Sequence, residues 1–335
     1  MDMNKKAILF TFIAIIISSL LTLIFATSQI TPFDQDVELD KSRVTTMNDY
    51  VLSLIAYSQT SLEISGYRAL EGMIEFISTN HSFSDAKDIN KSFSECVMNA
   101  TLKGGPCPLM GNMTITSMID NVKNISKNEF GYSDIDIRIS DLWLDQEKAF
   151  AVTAHMKITV FLNGRDVIWN ITKNVSQEIS IVGLKDPLYF SMPYNTTFLE
   201  TRIALGTFNY TTFEIFVNST EYMSSQVGLI TNDTFGESYK PLSFFGRLAN
   251  NPNVKSDPYL TIISVVSPKK LEDAGILPAS QPRNVSYVDF LFKKQYSNCL
   301  NLKKVKNDNS GAIIDDWHAR LVFGFNSSEL DDTSC

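Results

Sequence analysis

The sequence is poor in the residues from which most metal-binding and catalytic motifs are built. Its 335 residues include three His and four Cys, and they contain no Cys-x-x-Cys pair. Zinc sites and thioredoxin-like redox chemistry are therefore not expected. The motifs Gly-x-Ser-x-Gly, His-Glu-x-x-His and Gly-x-Gly-x-x-Gly are absent, and so is the phosphate-binding loop. The sequence accordingly predicts no cofactor, no metal and no familiar enzymatic reaction.

Positive charge is also scarce. The chain has 29 Lys and Arg against 37 Asp and Glu, which gives a formal net charge of −8. Because nucleic-acid binding needs a basic footprint, nucleic acid is not an expected partner. The composition otherwise suits a folded protein, with 44% hydrophobic and 20% charged residues.

Only one run of the sequence is apolar enough to span a bilayer. Residues 7–26 carry no charge, and about 20 apolar residues cross a membrane as a helix. Lys5 and Lys6 precede this run and acidic residues follow it, so the positive-inside rule places residues 1–6 in the cytoplasm and the bulk of the chain outside. We expect a single transmembrane helix over residues 7–30, in contact with membrane lipid.

A cleaved signal peptide is the alternative interpretation of this run. Ala26-Thr27-Ser28 would then be the cleavage site. The apolar stretch is longer than the 7–15 residues usual in signal peptides, which favours retention of the helix.

Acceptor triplets for N-glycosylation, Asn-x-Ser/Thr, are more frequent than chance predicts. With 25 Asn and 60 Ser plus Thr in 335 residues, random placement gives about four or five triplets. Such triplets are modified on the surface of secreted chains, so their excess predicts an extracellular glycoprotein. The alternative is an Asn-, Ser- and Thr-rich composition that is never glycosylated. The sequence has thirteen triplets, all after the apolar run: Asn80, Asn90, Asn99, Asn112, Asn124, Asn170, Asn174, Asn195, Asn209, Asn218, Asn232, Asn284 and Asn326.

The four cysteines suit the same oxidising compartment. They allow three pairings. Local pairing costs least in loop closure, so we expect Cys96 to pair with Cys107 and Cys299 to pair with Cys335. Free buried thiols would be expected only if the chain were cytosolic.

A long helix is predicted after the membrane run. Pro32 ends the first helix, and residues 31–78 then form a helical segment with its helix from about Glu38 to Ile77. The apolar stripe favours packing onto the outer domain, and the helix also suits a stalk that lifts this domain off the membrane. Gly66 and Gly72 weaken its second half and permit close packing. The stripe consists of Val44, Met47, Val51, Leu54, Ile55, Ser58, Leu62, Leu70, Ile74 and Ile77.

Residues 79–186 are predicted to form a disulfide-tied loop, a helix and an antiparallel sheet. The polar stretch 79–113, with its Gly and Pro residues, predicts the loop. Thr116 is the expected N-cap of the helix, which ends at Gly131. Its apolar side is formed by Ile119, Val122 and Ile125, and the alternation of Ile135, Ile137 and Ile139 predicts the first strand.

Asn163-Gly164 is a strong hairpin signal between two alternating segments. It predicts strands near residues 148–162 and 167–182. With a two-residue turn, Ile158 faces Trp169 on the buried side.

The other face of this hairpin is predicted to be wet. His155 lies there, and Lys157 faces Asn170 across the ladder. Asn170 and Asn174 both lie on this face, about 13 Å apart at 3.4 Å per residue. Both are expected to carry glycans that shield the face.

Residues 187–335 are expected to form a second α+β region. The stretch 236–258 predicts a loop, and Lys269–Gly275 predicts a short helix. Strands are predicted at 212–218, 259–267, 284–292 and 319–325. The fold class is therefore α+β, with an N-terminal transmembrane helix, a second long helix and an outer region of antiparallel sheet.

We interpret two further sets of polar residues as structural or surface residues rather than as functional sites. His81 lies inside an acceptor triplet. Asp315, Asp316 and His318 could together hold a metal or act as an acid–base pair. Adjacent carboxylates at the start of a strand are more typical of a solvated edge, and no further ligand is visible nearby.

The N-terminus resembles the processing site of type IV pilin-like proteins of archaea. A basic residue, a small residue and an apolar helix follow one another at Lys6, Ala7, Ile8 and Leu9. The resemblance implies cleavage after Ala7 and assembly with like subunits in a filament. Phe12 stands at the fifth mature position, where many bacterial pilins carry an acidic residue.

A second resemblance covers most of the chain. The segments SGYRALEGM, GLKDPLYF, SYVDFLF and DDWHARL are similar to segments of uncharacterised surface proteins of small-genome archaea. The resemblance implies an extracellular, membrane-tethered glycoprotein and brings no activity. We expect a structural, adhesive or pilin-like role, with like subunits or surface proteins of other cells as partners. The alternative is an extracellular enzyme or solute-binding domain on a membrane anchor.

Overall fold

The computed structural model describes residues 15–16, 32–79, 81–129, 134–163, 168–190, 202–204, 235–239, 242–250, 260–266, 287–288, 302–306, 313–315, 320 and 326–332. The helices are α1 (Pro32–Ser78), α2 (Ala86–Asn99), α3 (Ile115–Glu129), α4 (Pro187–Phe190), α5 (Phe244–Ala249) and a 3-10 turn (Ser327–Glu329). The strands are β1 (Thr101–Leu102), β2 (Gly105–Pro106), β3 (Asp134–Lys148), β4 (Ala151–Asn163), β5 (Ile168–Ser180), β6 (Gly236–Tyr239), β7 (Leu260–Ile263), β8 (Val265–Val266), β9 (Tyr287–Val288), β10 (Leu302–Val305), β11 (Ile313–Asp315) and β12 (Leu330–Asp332).

Helix α1 is longer than the sequence pattern indicated. It begins at Pro32 rather than near Glu38, because proline suits the first helical turn, where the N–H group has no partner within the helix. Most of the predicted stripe is buried, but Val44 is 40% exposed, so its assignment to the core was wrong. Met47 is the first buried side chain from residue 41 onward, and Val44 precedes it by one turn.

The close packing expected at the two glycines of α1 is confirmed. A Cβ atom on Gly66 would lie 2.4 Å from Ile179 Cδ1, at the end of a side chain of β5. A Cβ atom on Gly72 would lie 2.3 Å from the carbonyl oxygen of Pro108. The first glycine therefore lets α1 approach the sheet, and the second lets it approach the loop after β2.

The prediction of a loop over residues 79–113 was wrong, because α2 and the β1–β2 hairpin lie within it. Asp85 caps α2 by accepting a hydrogen bond from the backbone N–H of Asp88 at 2.9 Å. The buried side of α2 follows helical spacing at Ile89, Ser92, Phe93, Cys96 and Val97. The polar residues that suggested a loop occupy its other side.

The predicted Cys96–Cys107 disulfide is present, with 5.5 Å between the two Cα atoms. It joins the last turn of α2 to the residue after β2. In the chain-entropy model, a bridge closing so short a loop contributes about 3 kcal/mol to the free energy of unfolding. Cys299 and Cys335 lie outside the described residues, so their pairing stays a prediction.

Helix α3 differs in detail from its prediction. Thr114, not Thr116, is its cap, because the Thr114 hydroxyl accepts a hydrogen bond from the N–H of Ser117 at 3.0 Å. Ile119 and Val122 are buried as predicted. Ile125 was expected on the buried side but is 49% exposed, and the neighbouring Ser126 is buried instead. The predicted stop at Gly131 lies outside the described residues.

Strands β3, β4 and β5 form an antiparallel sheet in that order. The hairpin between β4 and β5 is present, but its register is displaced by four residues, so that Ile158 faces Lys173 instead of Trp169. Asn163 pairs with Ile168, and four residues rather than two separate the strands. Because the displacement is even, every side chain keeps its predicted face.

Helices cover one face of this sheet. Helix α1 packs against β5 and β4, while α2 and α3 pack against β3. The shared core includes five fully buried side chains: Leu62 and Leu70 of α1, Phe93 of α2, and Val160 and Leu162 of β4. The apolar stripes of the helices and the apolar side of the sheet are thereby removed from water together.

The later part of the chain contributes smaller sheets. Strands β6 and β7 pair, and five strands form a sheet in the order β12-β10-β11-β9-β8. Strands at 259–267 and 284–292 are confirmed in part by β7, β8 and β9. The loop predicted over 236–258 was wrong, since β6 and the buried helix α5 lie there. The predicted strand at 212–218 and helix at 269–275 lie outside the described residues, as does most of 319–325.

The fold class is α+β, with helices packed on antiparallel sheet. The β9–β11 pair is parallel, unlike the other described strand pairs. Among the described residues, no helix combines the length and the apolar character that a membrane crossing requires. Of the predicted transmembrane segment 7–30, the structure describes only residues 15 and 16.

Candidate functional site

The outer face of the β3–β4–β5 sheet, opposite α1, carries a row of three interacting side chains. Side chains alternate between faces along a strand, and from Val152 onward the even-numbered residues of β4 are buried. The row consists of Trp143 of β3, His155 of β4 and Ser176 of β5, which are paired in register. We call these three residues the aromatic row.

The imidazole of His155 is held on several sides. Its ring stacks on the indole of Trp143, with 4.0 Å between centroids and 15° between planes. His155 Nδ1 and Ser176 Oγ share a hydrogen bond of 2.8 Å. His155 Nε2 lies 3.9 Å from Asp145 Oδ2, is shielded from water and has no hydrogen-bond partner in the described part of the chain. The predicted position of His155 on this face is confirmed.

Charged side chains surround the aromatic row. Asp141 lies 3.9 Å from the ammonium of Lys157, and its side chain is 70% exposed. At the end of the sheet, Glu178 accepts a hydrogen bond from Lys148, which raises the pKa of that lysine. Trp143 itself is 45% exposed. The surface is thus polar, with a partly exposed indole on strand β3.

A serine, a histidine and an aspartate close together suggest nucleophilic catalysis, but the aspartate is not hydrogen-bonded to the histidine. In a catalytic triad the carboxylate accepts a hydrogen bond from the histidine ring. Asp145 Oδ2 instead lies 3.9 Å from His155 Nε2, beyond hydrogen-bond distance. The contacts of His155 instead fix the ring and the exposed indole beside it.

The acceptor asparagines are distributed over helices, loops and sheet. Six of the seven described ones are exposed: Asn99, Asn112, Asn124, Asn170, Asn174 and Asn326. The others, Asn80, Asn195, Asn209, Asn218, Asn232 and Asn284, lie outside the described residues. The expectation that Asn170 and Asn174 share the wet face of the hairpin is confirmed, although Lys157 faces Asn174 rather than Asn170.

Asn90 is the described acceptor that departs from this pattern. It is half-buried on α2, and its side-chain oxygen accepts a hydrogen bond from the N–H of Leu144 at 2.6 Å. Ser92, which completes its triplet, is 2% exposed. Asn90 therefore has a structural role, satisfying a backbone donor on the outer edge of β3.

A buried ion pair was missed by the sequence analysis. Arg247 of α5 and Asp186, which precedes α4, have fully buried side chains, with 2.6 Å between Arg247 Nη1 and Asp186 Oδ2. Arg247 Nη2 donates to the carbonyl of Ile262 at 2.7 Å, and Asp186 Oδ1 accepts from the N–H of Leu188 at 3.0 Å. These contacts join α5, β7 and the segment after β5. A lone Arg within an apolar stretch, SFFGRLA, was the signal available in the sequence.

Comparison of the chain with protein-family models, with curated proteins and with solved structures finds no match. The resemblances to pilin-like and archaeal surface proteins therefore stay predictions.

The remaining candidate residues are only partly described. Asp315 ends β11 and pairs with Leu302, whereas Asp316 and His318 lie outside the described residues, as do Lys6, Ala7 and Ile8. His81 stacks on Phe76, with 4.2 Å between ring centroids. Within the described part of the chain, no three His, Cys, Asp or Glu side chains come together as a metal site would require.

Proposed function

We propose that the chain is an N-glycosylated surface protein, held by a single N-terminal membrane helix, with a structural or adhesive role. The observation that carries this proposal is the exposure of six of the seven described acceptor asparagines. Polar asparagines are commonly exposed, but these complete triplets that occur well above the chance frequency. Their distribution would surround the outer region with glycans. The Cys96–Cys107 disulfide supports the same oxidising compartment.

The layout of the fold is compatible with both the anchored and the pilin-like versions of this proposal. Helix α1 has 47 residues, and at 1.5 Å per residue it is about 70 Å long. Its later turns pack on an antiparallel sheet, while residues 41–46 are exposed or half-buried. A long helix that follows an apolar run and ends on a sheet suits either a stalk or a subunit that packs its helix against copies of itself.

An extracellular enzyme or solute-binding domain is the second candidate. It is favoured by the contacts among Ser176, His155 and Asp145. These residues lie on an open sheet face, whereas ligand sites of this kind are usually concave. The surface-protein role therefore fits the described geometry better.

Glycopeptide mapping of protein from its native cell surface tests the proposal. We expect glycans on the exposed acceptors, including Asn99, Asn124 and Asn174, and none on Asn90, whose side chain is engaged by Leu144. Peptides from cytosolically expressed protein are the unmodified control. Absence of glycans from all thirteen triplets would contradict the proposal, and a glycan on Asn90 would contradict only its structural exclusion.

N-terminal mass spectrometry of the same material separates anchor from filament. We expect Lys5 and Lys6 to remain, because a retained anchor keeps them at the cytoplasmic interface. Assembly into a filament requires a chain that begins at Ile8, since removal of the two lysines lets helix ends pack without burying charge. A chain that begins near Gln29 would contradict both forms of the proposal.

A further inference from the structure

The aromatic row lies beside an acceptor asparagine on the same sheet face. Asn174 pairs with Lys157, and Ser176, two residues further along β5, pairs with His155. Trp143 lies one strand further across. With about 4.8 Å between strands and 3.4 Å per residue, the Cα atoms of Asn174 and Trp143 are roughly 12 Å apart. The same geometry places Asn170 roughly 22 Å from Trp143.

The surroundings of Trp143 suit a sugar ring. The faces of a pyranose present C–H groups, which pack on an aromatic face, and its rim presents hydroxyl groups. Trp143 is 45% exposed, and its position is fixed by the stack on His155. Asp141 and Lys157, with side chains 70% and 45% exposed, offer an acceptor and a donor for hydroxyl groups beside it.

We propose that the glycan attached to Asn174 folds back over the sheet and packs on the aromatic row, with its sugar rings against the indole of Trp143. The inference rests on the proposed function, because it requires a glycan at Asn174. The covalent tether favours the contact, since a group on a short flexible linker has an effective concentration of about millimolar, high enough to populate a weak contact. The sheet face is then covered by the chain's own saccharide rather than by another protein.

Hydroxyl-radical footprinting of the full-length glycosylated protein tests this packing, with oxidation of Trp143 measured on its own peptide. Asn174→Gln removes the nearby glycan and should raise the oxidation rate of Trp143 roughly twofold, because a packed sugar covers much of the exposed indole surface. Asn170→Gln is the matched control, since it removes a glycan from the same strand but further from the row. This control should leave the oxidation rate of Trp143 unchanged.

Glycopeptide mapping of the parent protein accompanies the footprinting, so that the two proposals fail separately. If Asn174 is glycosylated but Asn174→Gln leaves Trp143 equally protected, the packing is refuted and the surface-glycoprotein role stands. If Asn174 carries no glycan, the packing is refuted, and the other acceptors decide the proposed function. Protection that persists in Asn174→Gln but disappears on dilution would identify a saccharide of a second molecule and would also overturn the proposal.

Discussion

Asp186→Ala and Arg247→Ala each lower the free energy of unfolding by about 3–5 kcal/mol, the range typical when one partner of a buried ion pair is removed. The remaining charge stays in a site where both side chains are fully buried. Asp186→Asn keeps an acceptor for the N–H of Leu188 but removes the charge, and we expect it to be nearly as destabilising. Urea denaturation followed by circular dichroism measures these changes.

Two controls separate the charge effect from simple loss of contacts. Arg68→Ala breaks an ion pair with Glu71 on the surface of α1, and such pairs contribute about 0–1 kcal/mol. The double variant Asp186→Leu/Arg247→Met replaces the pair with apolar side chains and should cost less than either single alanine variant. If the single variants lost no more stability than Arg68→Ala, the ion pair would not be what holds α5 and β7 to the segment after β5.

Gly72→Ala is expected to destabilise the protein by about 2 kcal/mol, whereas Gly66→Ala leaves the stability nearly unchanged. Alanine in mid-helix gains about 1 kcal/mol over glycine, and overpacking costs about 1–3 kcal/mol or more. At Gly72 the new Cβ would meet the Pro108 carbonyl at 2.3 Å and Cys107 Sγ at 2.9 Å. These atoms belong to a segment held by the disulfide, so they move only with the backbone.

Gly66 is the matched control on the same helix. Its new Cβ would meet the terminal methyl of Ile179 at 2.4 Å, and this methyl group can turn aside by a rotamer change. Thermal unfolding of the two variants gives the comparison directly. Equal melting temperatures for Gly72→Ala and Gly66→Ala would show that the backbone around Pro108 shifts as readily as the side chain of Ile179.

Much of the fold could be predicted from the spacing of hydrophobic residues. Apart from Val44, the stripe of α1 and the alternation in β4 and β5 identified the buried faces correctly, because each secondary structure has a fixed side-chain period. The Cys96–Cys107 pair followed from sequence proximity, since a short loop costs little entropy to close. Helix α2 was missed because its polar side dominates its composition, although Ile89, Phe93 and Val97 mark a buried face at helical spacing.

The hairpin shows why a correct face does not imply a correct register. Asn163-Gly164 favours a two-residue turn, yet Asn163 pairs with Ile168. Both registers bury the same alternating residues, so burial does not distinguish them. Strand β4 also pairs with β3, and both strands pack on α1. These contacts bring together segments that are distant in sequence, so local turn preference does not include them.

By itself, the sequence determined the helical stripe of α1, the wet face of the hairpin and the surface position of Asn170 and Asn174. Only the tertiary structure decided the aromatic row. The pairing of β3 with β4 slips by one residue between Ser140 and Trp143, where Asp141 takes a positive φ of 52°. A one-residue slip exchanges the faces of a strand. It places Trp143 rather than Leu142 beside His155, an outcome that depends on how two strands meet and not on the pattern within either one.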